Sequence, residues 1–529
     1  NNSDLNNSLF SSWDSNTSTP KIKLWNLEPN TTYYYKVWSI DPTNSSNNAS
    51  SQIYNFTTQE CISYKLVNAT DTSITGIDHP IQEAIDMICL DGGIVELNNG
   101  AFNISTHLRI RENNITFRGQ GINNTTINQK NPEAHCLTIG KFDDPEAKSK
   151  ELHDQVIKFE AFLAYIQEHP EEIIENITIE RMTITFAAPT GYIQGIGTVL
   201  AKSFKVSEVR VLGNAENNVP MAIYTGHSLY INISDCIFDG HGTTLLTGGG
   251  CYCVNFINNT ITNNKGWTAL NLNGIWPLSN DGTSIPRDGS GTWSHIVGNK
   301  VLGGGGTIYL YSSFSAEVAE NIVDNTGSNH AGIKVSNCER DIKVHDNIIS
   351  NFRNVPAALW IDTSTPVDTE RVDIFNNLIY NSATNGIKVS TSIQGTIKQI
   401  NIYSNTIAGC NGDGIANPEG LPVVVKNNII VNNNGAGIRN VTNISYNDVW
   451  NNTGGNYVDC SGGTGDISED PLFADPDNSD FHLKSQAGRW NGTGWVNDTE
   501  TSPCIDAGDP SEKDPDGTRI NMGAYGGTS

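Results

Sequence analysis

The chain has 529 residues, charged side chains make up only 17% of it, and its formal net charge is −25. So few charges exclude a fold of amphipathic helices, which need charged outer faces. So negative a balance excludes nucleic acid or an anionic membrane surface as partner, because both require a basic patch. What remains is an all-β chain of many short strands and polar turns, rich in Gly (50), Asn, Ser and Thr.

From the N-terminus, Lys21 to Thr58 reads KIKLWNLEPNTTYYYKVWSIDPTNSSNNASSQIYNFTT. Its L.P.T.Y.Y.V pattern resembles the last strands of a fibronectin type III domain, a sandwich of about seven strands. Residues 1–60 have room for about half of them. Either the sequence is cut inside that domain, or the strands pair with something else, such as a neighbouring subunit.

His79 to Gly121 reads HPIQEAIDMICLDGGIVELNNGAFNISTHLRIRENNITFRGQG. This pattern predicts a short amphipathic helix, a Gly-Gly turn and three strands, suited to hiding the open end of a stacked coil. The helix, the DGG.V.L..G.. run and the GQG resemble the pectate-lyase-like superfamily, over about Asp78 to Trp450. That resemblance implies a β-helix without fixing one reaction. Residues 143–172 then switch to helical spacing and high charge. We expect an inserted helical segment outside the barrel, as a solvated decoration ahead of a lid or partner surface.

A ladder follows. TIYL (Thr307), GIKV (Gly332), ALWI (Ala358), GIKV (Gly386), GIAN (Gly414) and GIRN (Gly437) each open a short apolar run. Each precedes an Asn followed by two mostly apolar residues, at Asn321, Asn347, Asn377, Asn405, Asn428 and Asn447, with Asn299 one step earlier. The runs are too short and too β-branched for helices. The expected architecture over 61–455 is therefore a right-handed parallel β-helix with three strands per coil, its repeated Asn stacked at a bend.

The loop-rich tail, 456–529, is expected to close the β-helix. Its Asp475, Asp509, Asp514 and Asp516 offer oxygen ligands to Ca²⁺, although turn chemistry accounts for them first. No other cofactor and no metal site is expected. Cys460 and Cys504 are the candidate disulfide, while Cys251 and Cys253 read as core packing plus one exposed thiol. About twenty Asn-x-Ser/Thr sequons favour an exported, extracellular or cell-surface protein. No transmembrane run is present.

Strand alternation selects the candidate site. With Ile333 and Val335 inside, Lys334 and Ser336 point outward. The same phase turns out Asn271 and Asn273, Tyr309 and Tyr311, Trp360 and Asp362, and Lys388 and Ser390. Aromatic faces for sugar rings, amides for hydroxyls and lysines for acidic groups are what a polysaccharide groove requires. Gly274 to Gly298 leaves this strip as a long excursion carrying Trp276, Asp281, Arg287 and Asp288, expected as one wall. Trp276 and Arg287 join Asn271, Asn273, Tyr309, Tyr311 and Trp360 as candidate substrate-binding residues.

Glycoside hydrolysis needs two carboxyls. Asp362 is the strip candidate, with Asp281 or Asp288 as loop partners and Asp413 expected about two coils away. A lyase would instead need a base and a cation, roles open to Lys334, Lys388 and Arg287. His241 and His330 read as structural. The fibronectin-like fragment, the Asn-rich β-helix and the GAYGG tail together resemble archaeal disaggregatase-type surface proteins. That resemblance implies endo-acting cleavage of an acidic matrix heteropolysaccharide. A uronate lyase, or a non-catalytic surface or adhesive protein, is the alternative, and related β-helix depolymerases suggest a trimer.

Overall fold

The computed structural model describes residues 30–525 apart from 37, 41–47, 59, 70–79, 156–158, 188–192, 214–220, 248–249, 267, 274–293, 305, 312–314, 325–330, 339–340, 354, 364–369 and 392–396. The chain winds into a parallel β-helix whose coils contribute to a 25-stranded and a 13-stranded sheet. A representative coil runs Ala316–Ala319, a two-residue bend, Ile322–Asp324, and then Ile333–Ser336 in the smaller sheet. Three strands per coil follow from this pattern.

The bend explains the Asn repeat. The residue before each ladder Asn is left-handed, and apart from Gly298 before Asn299 it is not a glycine: Glu320 has φ 57°, Asp346 53° and Asn376 53°. Such a conformation costs about 1–2 kcal/mol for an L-residue. The following Asn offsets that cost with buried hydrogen bonds. Asn321 Nδ2 donates to Ile296 O (2.8 Å) and Asn347 Oδ1 (2.9 Å), while its Oδ1 accepts from Asn299 N and Nδ2. The chain of amides runs from Asn259 through Asn299, Asn321, Asn347, Asn377, Asn405 and Asn428 to Asn447. It stops at Asp466, whose Oδ1 accepts from Asn447 N and Nδ2 and whose Oδ2 accepts from Gly463 N and Tyr457 Oη–H.

Inside, Ile333, Leu359, Ile387 and Ile415 stack in register with none of their surface exposed. The Gly before the strand at Gly332 has a steric cause: a Cβ there would meet Ile349 Cγ2 and Phe352 Cζ at 2.7 Å. Helix α1 (Pro80–Asp86) presents buried Ile81, Ala84 and Ile85 to the open end of this core.

The helical insertion contains α2 (Pro145–Gln155) and α3 (Phe159–Glu168). Asp144 Oδ1 caps α2 by accepting from Ala147 N at 3.0 Å, and Pro145 occupies the first turn. The insertion is not a solvated decoration. Its Leu152 and Phe162 pack with Val199, Leu200, Leu229 and Tyr252 in a second apolar cluster, and α2 lies on the 13-stranded sheet.

At the other end, bridges Ser445↔Thr464 and Asp448↔Ile467 carry the stacking into the tail. Tail residues Phe473, Phe481, Cys504 and Met522 then pack against Leu378, Ala408, Ile429 and Val431. Near the N-terminus, Thr32–Tyr35 pairs antiparallel with Tyr54–Thr57, and Trp38–Ile40 with Asn48–Ser50.

The disulfide differs from expectation. Cys460 Sγ donates to Ile438 O (3.4 Å) and Cys504 Sγ donates to Asp448 Oδ2 (3.2 Å), so these two do not bridge. Instead Cys61 bonds Cys89, because the Ile62↔Ile88 bridge sets the residues leading into strand Tyr64–Val67 beside the end of α1. Cys251 is buried and Cys253 half-buried, neither in a disulfide. His241 is 1% exposed and pairs through Nε2 with Val211 O at 2.9 Å, a structural position.

Candidate functional site

The 13-stranded sheet places the strip residues on two parallel lines. The first runs Asn271↔Tyr309↔Lys334↔Trp360↔Lys388 through successive coils. The second runs Asn273↔Tyr311↔Ser336↔Asp362↔Ser390. The residues between them, among them Leu310, Val335 and Ile361, belong to the core, so both lines face outward.

Lys334 is the centre of the strip. Its Nζ sits 4.0 Å from the Trp360 ring centroid and 5.1 Å from that of Tyr309, held between the two faces. It is also 3.9 Å from Asp362 Oδ2. Trp360 Nε1 donates to Ser390 Oγ at 2.8 Å, which fixes the indole plane. The side chains of Lys334 and Asp362 are only 21% and 12% exposed. The strip is thus an outward surface that is partly dry.

Dryness governs the electrostatics. Burial lowers the Lys334 pKa below the usual lysine range, against the opposing pull of Asp362. Burial raises the Asp362 pKa, opposed by Lys334, a hydrogen bond from Ser336, Lys388 and a bond from Ser390. Both partners shift toward their neutral forms although they attract, so at 3.9 Å desolvation outweighs pairing. Burial also pushes Tyr309 up to about 12. Burial thus disfavours the charged form of each of these two neighbours, Lys334 and Asp362.

Asp413 does not join them. It lies at the strand start, next to Asn385, which pairs with Ala357, whereas Asp362 pairs with Ser390. Five residues along the strand add roughly 16 Å to the two-coil separation expected from sequence. Its carboxylate is engaged by Arg439 Nε (2.6 Å) and Nη2 (3.1 Å) and by Ala436 N (2.7 Å). Trp276, Asp281, Arg287 and Asp288 lie in 274–293, outside the described residues, as does His330. Among the described residues, Asp362 is the one carboxylate on the two lines.

The first line continues in both directions beyond the residues picked from sequence. Lys388 pairs with Ala416 and Ala416 with Arg439, while upstream Asn271 pairs with Leu246 and Leu246 with Tyr224. Arg439 was within reach of the sequence, since GIRN follows GIAN by one coil. Tyr224 was not, because no glycine or Asn marks its strand.

Among the described residues, no group of three or more His, Cys, Asp or Glu side chains is placed to hold a metal ion. In the tail, Asp509 Oδ1 accepts from Ser511 N and Oγ, and Asp516 Oδ1 from Thr518 N and Oγ1, both turn bonds. No helix among the described residues is long and apolar enough to cross a membrane.

Residues 340–508 match the protein family described as Disaggregatase related. The match contains Trp360, Asp362, Lys388 and Asp413 and ends inside the tail. No curated protein matches the sequence. Solved structures with a similar course include the catalytic domain of Agl-KA, at 14% identity over 79% of this chain and 72% of that chain, with TM-score 0.43. Tailspike protein 3 of bacteriophage CBA120 is 11% identical over 87% of this chain and 71% of that one, TM-score 0.43. A mannuronic acid specific polysaccharide family 6 lyase from human gut microbiota is 10% identical over 70% and 86%, TM-score 0.40. Likeness this distant carries no chemistry over to the present chain.

Proposed function

We propose that the strip binds and cuts an acidic polysaccharide outside the cell. The supporting observation is Lys334, clamped between Tyr309 and Trp360 beside Asp362, with Lys388 one coil past Trp360. Sugar rings stack on the aromatic faces, and the two lysines meet carboxylates of uronate units. In a chain of net charge −25, lysines on a groove are a local reversal of sign suited to an anionic polymer. The Disaggregatase related match over 340–508 agrees with this reading. Export is supported by the Cys61–Cys89 bridge and by the sequons.

The reaction proposed is glycoside hydrolysis. Asp362, its pKa raised by burial, protonates the glycosidic oxygen as the C–O bond breaks. Water attacks the anomeric carbon and gives its proton to a second carboxylate, assigned to Asp281 or Asp288 on the excursion from the strip. One observation favours a second reading, β-elimination: among the described residues the strip holds a single carboxylate, beside an amine of lowered pKa. There Lys334 would take the C5 proton of a uronate, the C4–O bond would break with the departing oxygen taking a proton from water, and an unsaturated uronate would form.

Incubation with a panel of uronate polymers, among them polygalacturonate, polymannuronate and polyguluronate, tests both. New reducing ends without ultraviolet absorbance support hydrolysis, and absorbance of an unsaturated uronate supports elimination. Asp362→Asn abolishes the first, while Lys334→Met abolishes the second. Tight binding without cutting, or no effect on any polymer, overturns the enzymatic reading.

A further inference from the structure

The outward line that carries the strip does not stay open. Upstream of Asn271 it passes Leu246, then Tyr224, then Gly197. Strands Gln194–Val199 and Met221–Gly226 are buried at every residue, whereas Ile308–Tyr311 alternates buried and half-buried. The cover on the first two is α2. Pro145 Cγ stands 3.4 Å from where a Cβ on Gly197 would be, and Ser149 Cβ 2.6 Å from a Cβ on Gly226. The Tyr224 hydroxyl hydrogen-bonds Ser149, and Ser149 Oγ lies 3.0 Å from His227 Nδ1.

This cover is anchored. Leu152 and Phe162 pack on Val199, Leu229 and Tyr252, and Lys148 Nζ reaches Glu172 at 3.5 Å and the Phe142 ring centroid at 4.6 Å. Leu246, half-buried, is the first side chain of the line beyond it.

We propose that α2 is an end wall of the groove, so that a polysaccharide is gripped by its terminus rather than along its middle. This rests on the strip being the cutting site. A chain lying along the β-helix axis cannot pass beneath Pro145 and Ser149. The coils of Tyr309, Asn271 and Leu246 lie between Lys334 and the wall, and the coil of Lys334 itself adds a fourth for Asp362. At about 4.8 Å per coil they offer roughly 14 Å from Lys334 and roughly 19 Å from Asp362, room for about three to four sugar units. The product is therefore a short oligosaccharide of fixed length, released successively from one end.

The test is the product ladder of whichever polymer of the panel is cut, read by mass spectrometry from the first minutes, together with solution viscosity. Oligosaccharides of about three to four units from the outset, with viscosity falling slowly, support the wall. A broad mixture of long fragments with an early collapse of viscosity overturns it while leaving the strip reading intact. Absence of cleavage on every polymer overturns the strip reading, and this one with it. Leu246→Trp, which fills the coil next to the wall, shortens the product by about one unit; unchanged lengths count against the wall. Replacing 143–172 with a short Gly/Ser link gives longer and more varied products, and the Leu246 variant decides if that protein does not fold.

Discussion

Lys334 and Trp360 face each other across a single coil step, ammonium to indole, with Nζ 4.0 Å from the ring centroid. The pairing links Lys334, a cation clamped on both sides by rings of the strip, to the residue that Ser390 holds in plane. It also means that charge, stacking surface and carboxyl respond together when any one is altered.

Lys334→Met should therefore do more than remove a contact. The cation–π loss is about 0.5–2 kcal/mol, offset by relief of lysine desolvation, so the melting temperature should move by only a few degrees. Cleavage should fall by about 10²-fold or more. With the neighbouring cation gone, the Asp362 pKa rises further, and the limb of kcat/KM governed by Asp362 moves to higher pH. A limb that stays in place shows that the two groups are not coupled.

Asp448 provides a pH signature under the tail. It is fully buried, accepts from Glu469 N (3.2 Å) and Cys504 Sγ–H (3.2 Å), and burial pushes its pKa up to about 7. A carboxyl raised from about 3.9 stabilises the fold fully below the unfolded value and ceases to do so as pH climbs through about 7. The stability at stake is on the order of 4 kcal/mol. Asp448→Asn should raise the melting temperature above wild type at pH 8, and the advantage should vanish near pH 4. An equal difference at both pH values would show that the carboxyl is not titrating in this range.

Asn377 tests the ladder. Its Nδ2 serves Val344 O (2.8 Å) and Asn405 Oδ1 (2.9 Å), and its Oδ1 receives Asn347 N and Nδ2. Asn377→Ala strands several buried polar groups at about 1–3 kcal/mol each, so a loss of about 3–5 kcal/mol in denaturant unfolding is expected. A loss below about 1 kcal/mol would mean that the ladder is ornamental to stability.

The Cys61–Cys89 bridge closes a separation of 28 residues. Chain-entropy reasoning assigns such a loop about 3–4 kcal/mol. Cys61→Ser should admit proteolysis within the loop that the bridge closes while polysaccharide cleavage at the strip persists. Proteolytic resistance equal to wild type would remove the bridge from the stability of this end.

The strip was legible because alternation and the G-I register are local facts. Ile333, Leu359 and Ile387 had to share a face, and Lys334, Trp360 and Lys388 then had to share the other. Asp413 misled because coil counting fixes height along the stack but not position along the strand, and Arg439 holds it at the wrong end. The resting place of α2 was hidden for a related reason: helical periodicity reveals an apolar stripe but not which coil receives it. The disulfide escaped because its geometry depends on α1 folding back beside strand Tyr64–Val67, a tertiary event with no spacing signal.

The amide column has a direction, and that direction has an evolutionary corollary. Every interior rung both gives and receives, so a whole turn of the spiral could be copied or excised between Asn299 and Asn428 without leaving a mismatched neighbour. Asp466 only receives, which makes it a full stop. Reach of the molecule is thus a variable that duplication can tune, whereas the location of its final rung is written in a single carboxylate.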